Sequence, residues 1–206
     1  LGELEKDKMK KFYSQAGQDE WIVDFFQSKK NGFFLDVGAN DGININNTYF
    51  LEKELGWNGI CIEADPNIFK NLIVNRKCSC INVAISNDSK GINFLPDGLS
   101  GREFDSPTSI KIHTKTLKEV LDGNNSPKII DYLSLDIEGM ELKALEGFPF
   151  DEYKIITLTV EHNLYLGKKE YKEKIKKFLE IRGYLLYKEN VESEGLPFED
   201  WYIIKK

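Results

Sequence analysis

Short apolar runs alternate with amphipathic stretches along this chain, and the alternation predicts most of its elements. Phe33–Val37 holds four apolar residues in five positions, the pattern of a strand buried on both faces. Runs of the same kind predict strands at 59–63, 80–85, 129–135 and 154–160. Between them the apolar spacing turns helical. Residues 19–28 carry Trp21, Ile22, Phe25 and Phe26 on one face, and 168–181 form an amphipathic helix that Gly183 stops. Asn46 and Asn47 can start a helix through Leu55, and Asp65-Pro66 opens another with a cap and a first-turn proline. Thr116 caps a short helix, and residues 140–146 form one more. Residues 91–95 and 109–114 read as added strands, 96–107 as a Gly/Ser/Asp/Pro-rich loop, and 184–188 and 200–204 as two closing strands.

Strands alternating with helices predict an α/β fold with one doubly wound, mostly parallel sheet. The expected organisation is a single domain over 1–206, with a charged lead-in at 1–11 and a helical cover at 12–32. In such sheets ligands lie outside the carboxyl ends of the strands. The first strand runs into Asp36-Val37-Gly38-Ala39-Asn40-Asp41-Gly42, and the second closes on Glu63. A glycine turn beside a strand-end carboxylate suits a nucleoside-bearing cofactor, with Glu63 accepting from ribose hydroxyls. The turn departs from the GxGxxG dinucleotide fingerprint and lacks Gly-Lys-Ser/Thr, which argues against a dehydrogenase and against a nucleoside triphosphate.

Composition narrows the partners. Of 206 residues, 41% are hydrophobic and 30% charged, with a net charge of −6, so no overall basic field favours nucleic acid. No apolar run is long enough to span a membrane, and the charged first eleven residues do not read as a signal peptide. Three cysteines, Cys61, Cys78 and Cys80, form no disulfide framework or zinc spacing, which fits a reducing, cytoplasmic setting.

Four pieces of sequence now combine. They are Ser14-Gln15-Ala16-Gly17-Gln18-Asp19, the 36–42 turn, Ile62-Glu63-Ala64-Asp65-Pro66, and Leu133-Ser134-Leu135-Asp136-Ile137-Glu138-Gly139-Met140-Glu141. In this order they resemble the FkbM family of S-adenosylmethionine-dependent methyltransferases, over roughly residues 12 to 165. The resemblance implies a class I methyltransferase (Rossmann-like) fold of seven strands with the last inserted antiparallel, and O-methylation of sugars or other small molecules. It implies a cofactor set of Gln18, Asp36, Gly38, Ala39, Asn40, Gly42, Asn47, Thr48, Glu63, Ala84 and Asp136. Gly38 would leave room for the methionine part, and Asp36 would reach its ammonium directly or through water. Asn47 and Thr48, at a helix start, suit its carboxylate. Ala84 would lie beside adenine with Asn82 or Ser86 at its edge, and Gln15 and Gln18 would fold over the pocket.

The acids of strands four and five supply the chemistry. Asp136, Glu138 and Glu141 follow one strand, and Glu161 with His162 ends the next, so neighbouring tips would bring them to one rim. Methyl transfer to a hydroxyl needs an aligned acceptor and a base for its proton. His162, Asp136, Glu138 and Glu161 are the candidates. Asp136 and Glu161, with His162, could instead hold a divalent cation such as Mg²⁺ against adjacent hydroxyls. The other histidine, His113, reads as structural. The expected partner is a small-molecule or sugar acceptor, with no nucleic acid, because the fourth strand lacks an Asn/Asp-Pro-Pro-aromatic tetrad. The competing reading is a binding or interaction domain that keeps the fold without transfer. Oligomeric state is not legible.

Overall fold

A computed structural model describes residues 11–205, so nearly all of the charged lead-in lies outside the described residues. The strands in chain order are β1 (Phe33–Val37), β2 (Asn58–Glu63), β3 (Ser79–Asn82), β4 (Ala84–Ile85), β5 (Ile92–Leu95), β6 (Arg102–Glu103), β7 (Ile110–Ile112), β8 (Thr114–Lys115), β9 (Ile129–Leu135), β10 (Lys154–Glu161), β11 (Tyr184–Ser193) and β12 (Leu196–Ile204). The helices are α1 (Gln18–Phe25), α2 (Tyr49–Leu55), α3 (Pro66–Asn75), α4 (Leu117–Gly123), α5 (Glu141–Glu146) and α6 (Lys169–Glu180).

The main sheet has seven strands in the order β11-β12-β10-β9-β1-β2-β3. Strands β10, β9, β1, β2 and β3 are parallel, and β12 inserts antiparallel between β10 and β11. This is the seven-stranded, Rossmann-like arrangement with an inserted antiparallel strand that the resemblance implies. Side-chain alternation feeds two cores. Leu35, Ile60, Ile62 and Leu133 pack on one face with Leu117, Leu121, Ala144, Leu145, Ile175 and Leu179 of α4, α5 and α6. Phe34, Cys61 and Tyr132 point to the other, with Trp21, Ile22, Phe50, Leu51 and Leu72 of α1, α2 and α3. Both faces are covered, so the central strands read as continuous apolar runs.

Three boundaries differ from the sequence reading, each for a local reason. The predicted third strand splits at Val83. Asn82 Nδ2 donates to the Glu63 and Ala64 carbonyls at the end of the β2 ladder, and Ala84–Ile85 pairs instead with Thr114–Lys115. Helix α2 starts at Tyr49 because Asn46 Oδ1 accepts the Thr48 and Tyr49 N–H groups at 3.0 and 2.8 Å. The closing strands are longer than expected and form a hairpin. Its turn is Glu194-Gly195, both at positive φ (52° and 78°), as a tight two-residue connection requires. The loop at 96–107 also carries a short strand, β6, paired antiparallel with β5 in a small side sheet with β7. Within residues 12–32 the helix is α1, preceded by a turn in which Asp19 accepts from Tyr13 N, Ser14 N and Ser14 Oγ.

Candidate functional site

An open cleft lies at the carboxyl ends of β1, β2 and β9, where ligands sit in sheets of this kind. At β1 the chain turns through Gly38 with φ 89°, and the N–H groups of Gly38 and Ala39 both donate to the Ile62 carbonyl. A Cβ on Gly38 would fall 1.8 Å from the Asp136 carbonyl oxygen. The glycine is therefore demanded first by contact between two strand tips.

Glu63 is 9% exposed and lines the cleft. Its Oε2 accepts from Asn40 N at 2.9 Å and its Oε1 from Asp65 N at 2.7 Å. Burial pushes this carboxyl up, and those two N–H groups pull it partly back. Each oxygen keeps a second lone-pair direction, so the carboxylate is fixed in place and can still accept hydroxyls. Asn40, at φ 50°, also lines the cleft. Beyond Glu63 the wall is apolar: Val83, Ala84, Ile85, Ile92 and Phe94. Asn82 and Ser86, expected at an adenine edge, do not line it; Asn82 is spent on the carbonyls of residues 63 and 64.

Asp36 lines the cleft while its Oδ2 is engaged behind it. Thr48 Oγ1 donates at 2.6 Å and Asn46 Nδ2 at 3.0 Å, and Arg76 Nη1 lies 3.9 Å away. Burial pushes the Asp36 carboxyl up against the pull of Arg76. Arg76 organises this side. Its guanidinium also meets Glu52, Asn46, Thr48 and the Gly42 carbonyl, and stacks 5.2 Å from the Phe34 ring centroid. No sequence signal marked it. Thr48 and Gly42, expected in the cofactor set, do not line the cleft: Thr48 is buried on Asp36 and Arg76, and the space of a Gly42 Cβ is filled by Leu72 and Arg76. Asn47 does line it; its Nδ2 donates to Ser134 Oγ at 2.9 Å, and its buried Oδ1 has no partner. Gln15 lines the cleft, whereas Gln18 is wholly buried behind it with Oε1 on Ala16 N.

At the far end Asp136, Glu138 and Glu161 each place a carboxylate oxygen within 4.8 Å of the others. Burial, with the charges of Glu138 and Glu141, raises Asp136 to about 7 despite a stabilising hydrogen bond with Glu161. Burial and the neighbouring Asp136 push Glu161 well up. Two carboxyls so close resist ionising together, which is why both are raised. Burial and Glu141 also raise Glu138, which Lys168 and Asn163 oppose. Glu141 belongs elsewhere. It is fully buried, with Oε1 accepting from Ile137 N and Gly139 N and Oε2 from Tyr171 Oη.

His162, a candidate base in the sequence, follows the last residue of β10, and neither it nor Glu161 lines the cleft. It is 2% exposed, its Nδ1 accepts from Leu164 N, and its Nε2 faces Asp200 Oδ1 at 3.3 Å. It is not among the clustered donors Asp136, Glu138 and Glu161. His113 is exposed, and its carbonyl accepts from Ala84 N. The 96–107 segment supplies Gly98, Gly101, Arg102 and Glu103 to the wall, with Arg102 Nη1 on Asp97 Oδ2 and the Ser100 carbonyl. Ser134, Ile137 and Met140, all within the 133–141 motif, also line the cleft, as does Ile45, which had no signal in the sequence.

Comparison with known proteins agrees with this geometry. The methyltransferase FkbM domain model matches residues 36–190, most of the chain. Among solved structures, the methyltransferase FkbM from Methylobacillus flagellatus superposes with a TM-score of 0.59 at 13% identity, covering 97% of this chain and 46% of that one. This chain thus spans about half the length of that protein. The METTL16 methyltransferase domain gives 0.57 at 14% identity, covering 91% of this chain and 66% of its own. A precorrin-6y C5,15-methyltransferase from Geobacter metallireducens gives 0.52 at 11%, covering 91% and 87%. No curated protein matches the sequence. The likenesses at these identities concern the fold, and the family match carries the assignment: the chain belongs to the FkbM family of S-adenosylmethionine-dependent methyltransferases.

Proposed function

We propose that the protein transfers a methyl group from S-adenosylmethionine to a hydroxyl oxygen of a sugar or other small-molecule acceptor. The observation that carries this reading is one continuous cleft with Glu63 at one end and, at the other, Asp136 and Glu138, which cluster with the buried Glu161. The residues fit the methyl donor. The Glu63 carboxylate suits a ribose diol, the apolar wall from Val83 to Phe94 suits adenine, and the unpartnered Asn47 Oδ1 suits the methionine ammonium. When bound, S-adenosylmethionine supplies an electrophilic methyl group on a cationic sulfonium.

The chain's own part is alignment and proton removal. The Asp136–Glu161 pair is charged in part near neutral pH and can accept the acceptor's proton as its oxygen becomes nucleophilic. Glu138 keeps the same end negative, which favours a sulfonium and disfavours an anionic nucleophile formed too early. His162 has no part in this step. The net charge of −6 and the acidic end of the cleft support a small-molecule acceptor in preference to nucleic acid.

A specific observation also favours a divalent cation. Three hard oxygen donors within 4.8 Å, held up by mutual repulsion, fit Mg²⁺ through Asp136, Glu138 and Glu161. Such an ion would acidify an adjacent acceptor hydroxyl. Incubation with methyl-labelled S-adenosylmethionine and a panel of sugars and sugar nucleotides, with and without chelator, tests both. Label in an O-methyl group supports transfer, and its loss in chelator supports the cation. Label only on nitrogen, or none with any acceptor, overturns the proposal.

A further inference from the structure

Behind the cofactor loop, on the α2/α3 face, three free thiols converge. Cys61 lies in β2 beside Asp36 of β1 and is fully buried. Cys78 and Cys80, at the start of β3, are half-buried. The Cys61 and Cys78 sulfurs are 3.5 Å apart, in contact and without a bond. Closing them to a disulfide requires an approach to about 2.0 Å. Nothing in the methyl-transfer reading uses these groups.

We propose that Cys61 and Cys78 are an oxidisable dithiol, closed to an intramolecular disulfide by hydrogen peroxide with Cys80 as the attacking sulfur. Arg76 sits two residues before Cys78 and places a guanidinium charge beside the cluster, which favours a thiolate and disfavours a bound cation. Cys80 Sγ lies 3.6 Å from the Cys78 carbonyl, and the neighbouring Cys61 and Cys78 thiols pull it down to about 4, whereas burial keeps Cys61 protonated. Cys80 is thus the nucleophile, and its partial exposure lets peroxide reach it.

The chemistry balances in three steps. The Cys80 thiolate attacks one peroxide oxygen; the S–O bond forms, the O–O bond breaks, and hydroxide leaves and takes a proton to become water. The Cys78 thiol then attacks the sulfenic sulfur, forming an S–S bond and releasing a second water that carries the Cys78 proton. That bridge joins residues only two apart on one extended segment, so it is strained. Cys61 attacks its Cys78 sulfur, the Cys61–Cys78 bond forms, and Cys80 leaves as thiolate and takes the Cys61 proton. Overall two thiols lose two electrons, and one peroxide is reduced to two waters.

The test treats the full chain with a small excess of hydrogen peroxide, alkylates the remaining thiols, and maps peptides without reduction by mass spectrometry. The expected product is a Cys61–Cys78 linked peptide lighter by two hydrogens, with Cys80 alkylated, and dithiothreitol reverses it. Cys78→Ser abolishes the link, while Cys80→Ser yields the same link about tenfold more slowly. A bridge ending at Cys80, a link between chains, or irreversible over-oxidation overturns the proposal. Formation at an unchanged rate in Cys80→Ser overturns the role of Cys80.

Discussion

The Cα of Gly38 and the carbonyl of Asp136 are so close that a methyl group on the glycine would lie 1.8 Å from the carbonyl oxygen. The two strand tips that flank the donor end and the acid end of the cleft are therefore in backbone contact. Gly38→Ala should cost about 2–4 kcal/mol, from overpacking plus the strain of a side chain at positive φ. Urea denaturation measures it; a loss under about 0.5 kcal/mol contradicts the contact.

Arg76→Lys should destabilise the protein by about 3–5 kcal/mol, as expected when a buried ion pair loses its fit. The ammonium cannot reach Glu52, Asn46, Thr48 and the Gly42 carbonyl together, as the planar fork does. Thermal unfolding with and without S-adenosylhomocysteine reads both the stability and the loop it supports.

Acidic groups raised by burial make stability depend on pH in a definite sense. The folded Asp136 pKa, about 7, lies above its ordinary 3.8, so folding favours the protonated form. Its contribution is complete below pH 3.8 and is lost as pH rises through about 7. Asp136→Asn should flatten that fall in apo-protein stability. Turnover runs the other way, because the open carboxylate is the active form, and should rise with pH through about 7. An acid limb that survives unchanged in Asp136→Asn rules the pair out as base.

His162→Gln should leave that acid limb and the donor affinity in place and act on stability alone. The side chain serves Leu164 N and Asp200, which also faces Lys172 Nζ at 3.7 Å. A turnover loss of about a hundredfold, with an unchanged melting temperature, returns His162 to the reaction.

The sheet was legible because both faces of its central strands are buried, leaving apolar runs that end in glycine or acid. The site was legible where a strand tip carries its chemistry in the next residue, as at Glu63 and Asp136. It was less legible at the tip of β10, where Glu161 joins the carboxylate cluster while its sequence neighbour His162 meets Leu164 N and Asp200. Residues that act from behind the cleft, Arg76 above all, had no local signature, because their partners are spread over α2, the 36–48 turn and β1. The hairpin of β11 and β12 was shortened because the polar residues of 188–194, interrupted only by the buried Val191, conceal an edge strand.

The central claim is that this cleft holds the methyl donor with Glu63 on its ribose. Calorimetric titration of S-adenosylhomocysteine into the wild-type protein and Glu63→Gln tests it directly. Gln keeps the shape and one acceptor oxygen but removes the charge, so affinity should fall by about 1–3 kcal/mol with one site retained in the wild type. Equal affinity of the two proteins, or no binding by the wild type, contradicts the account.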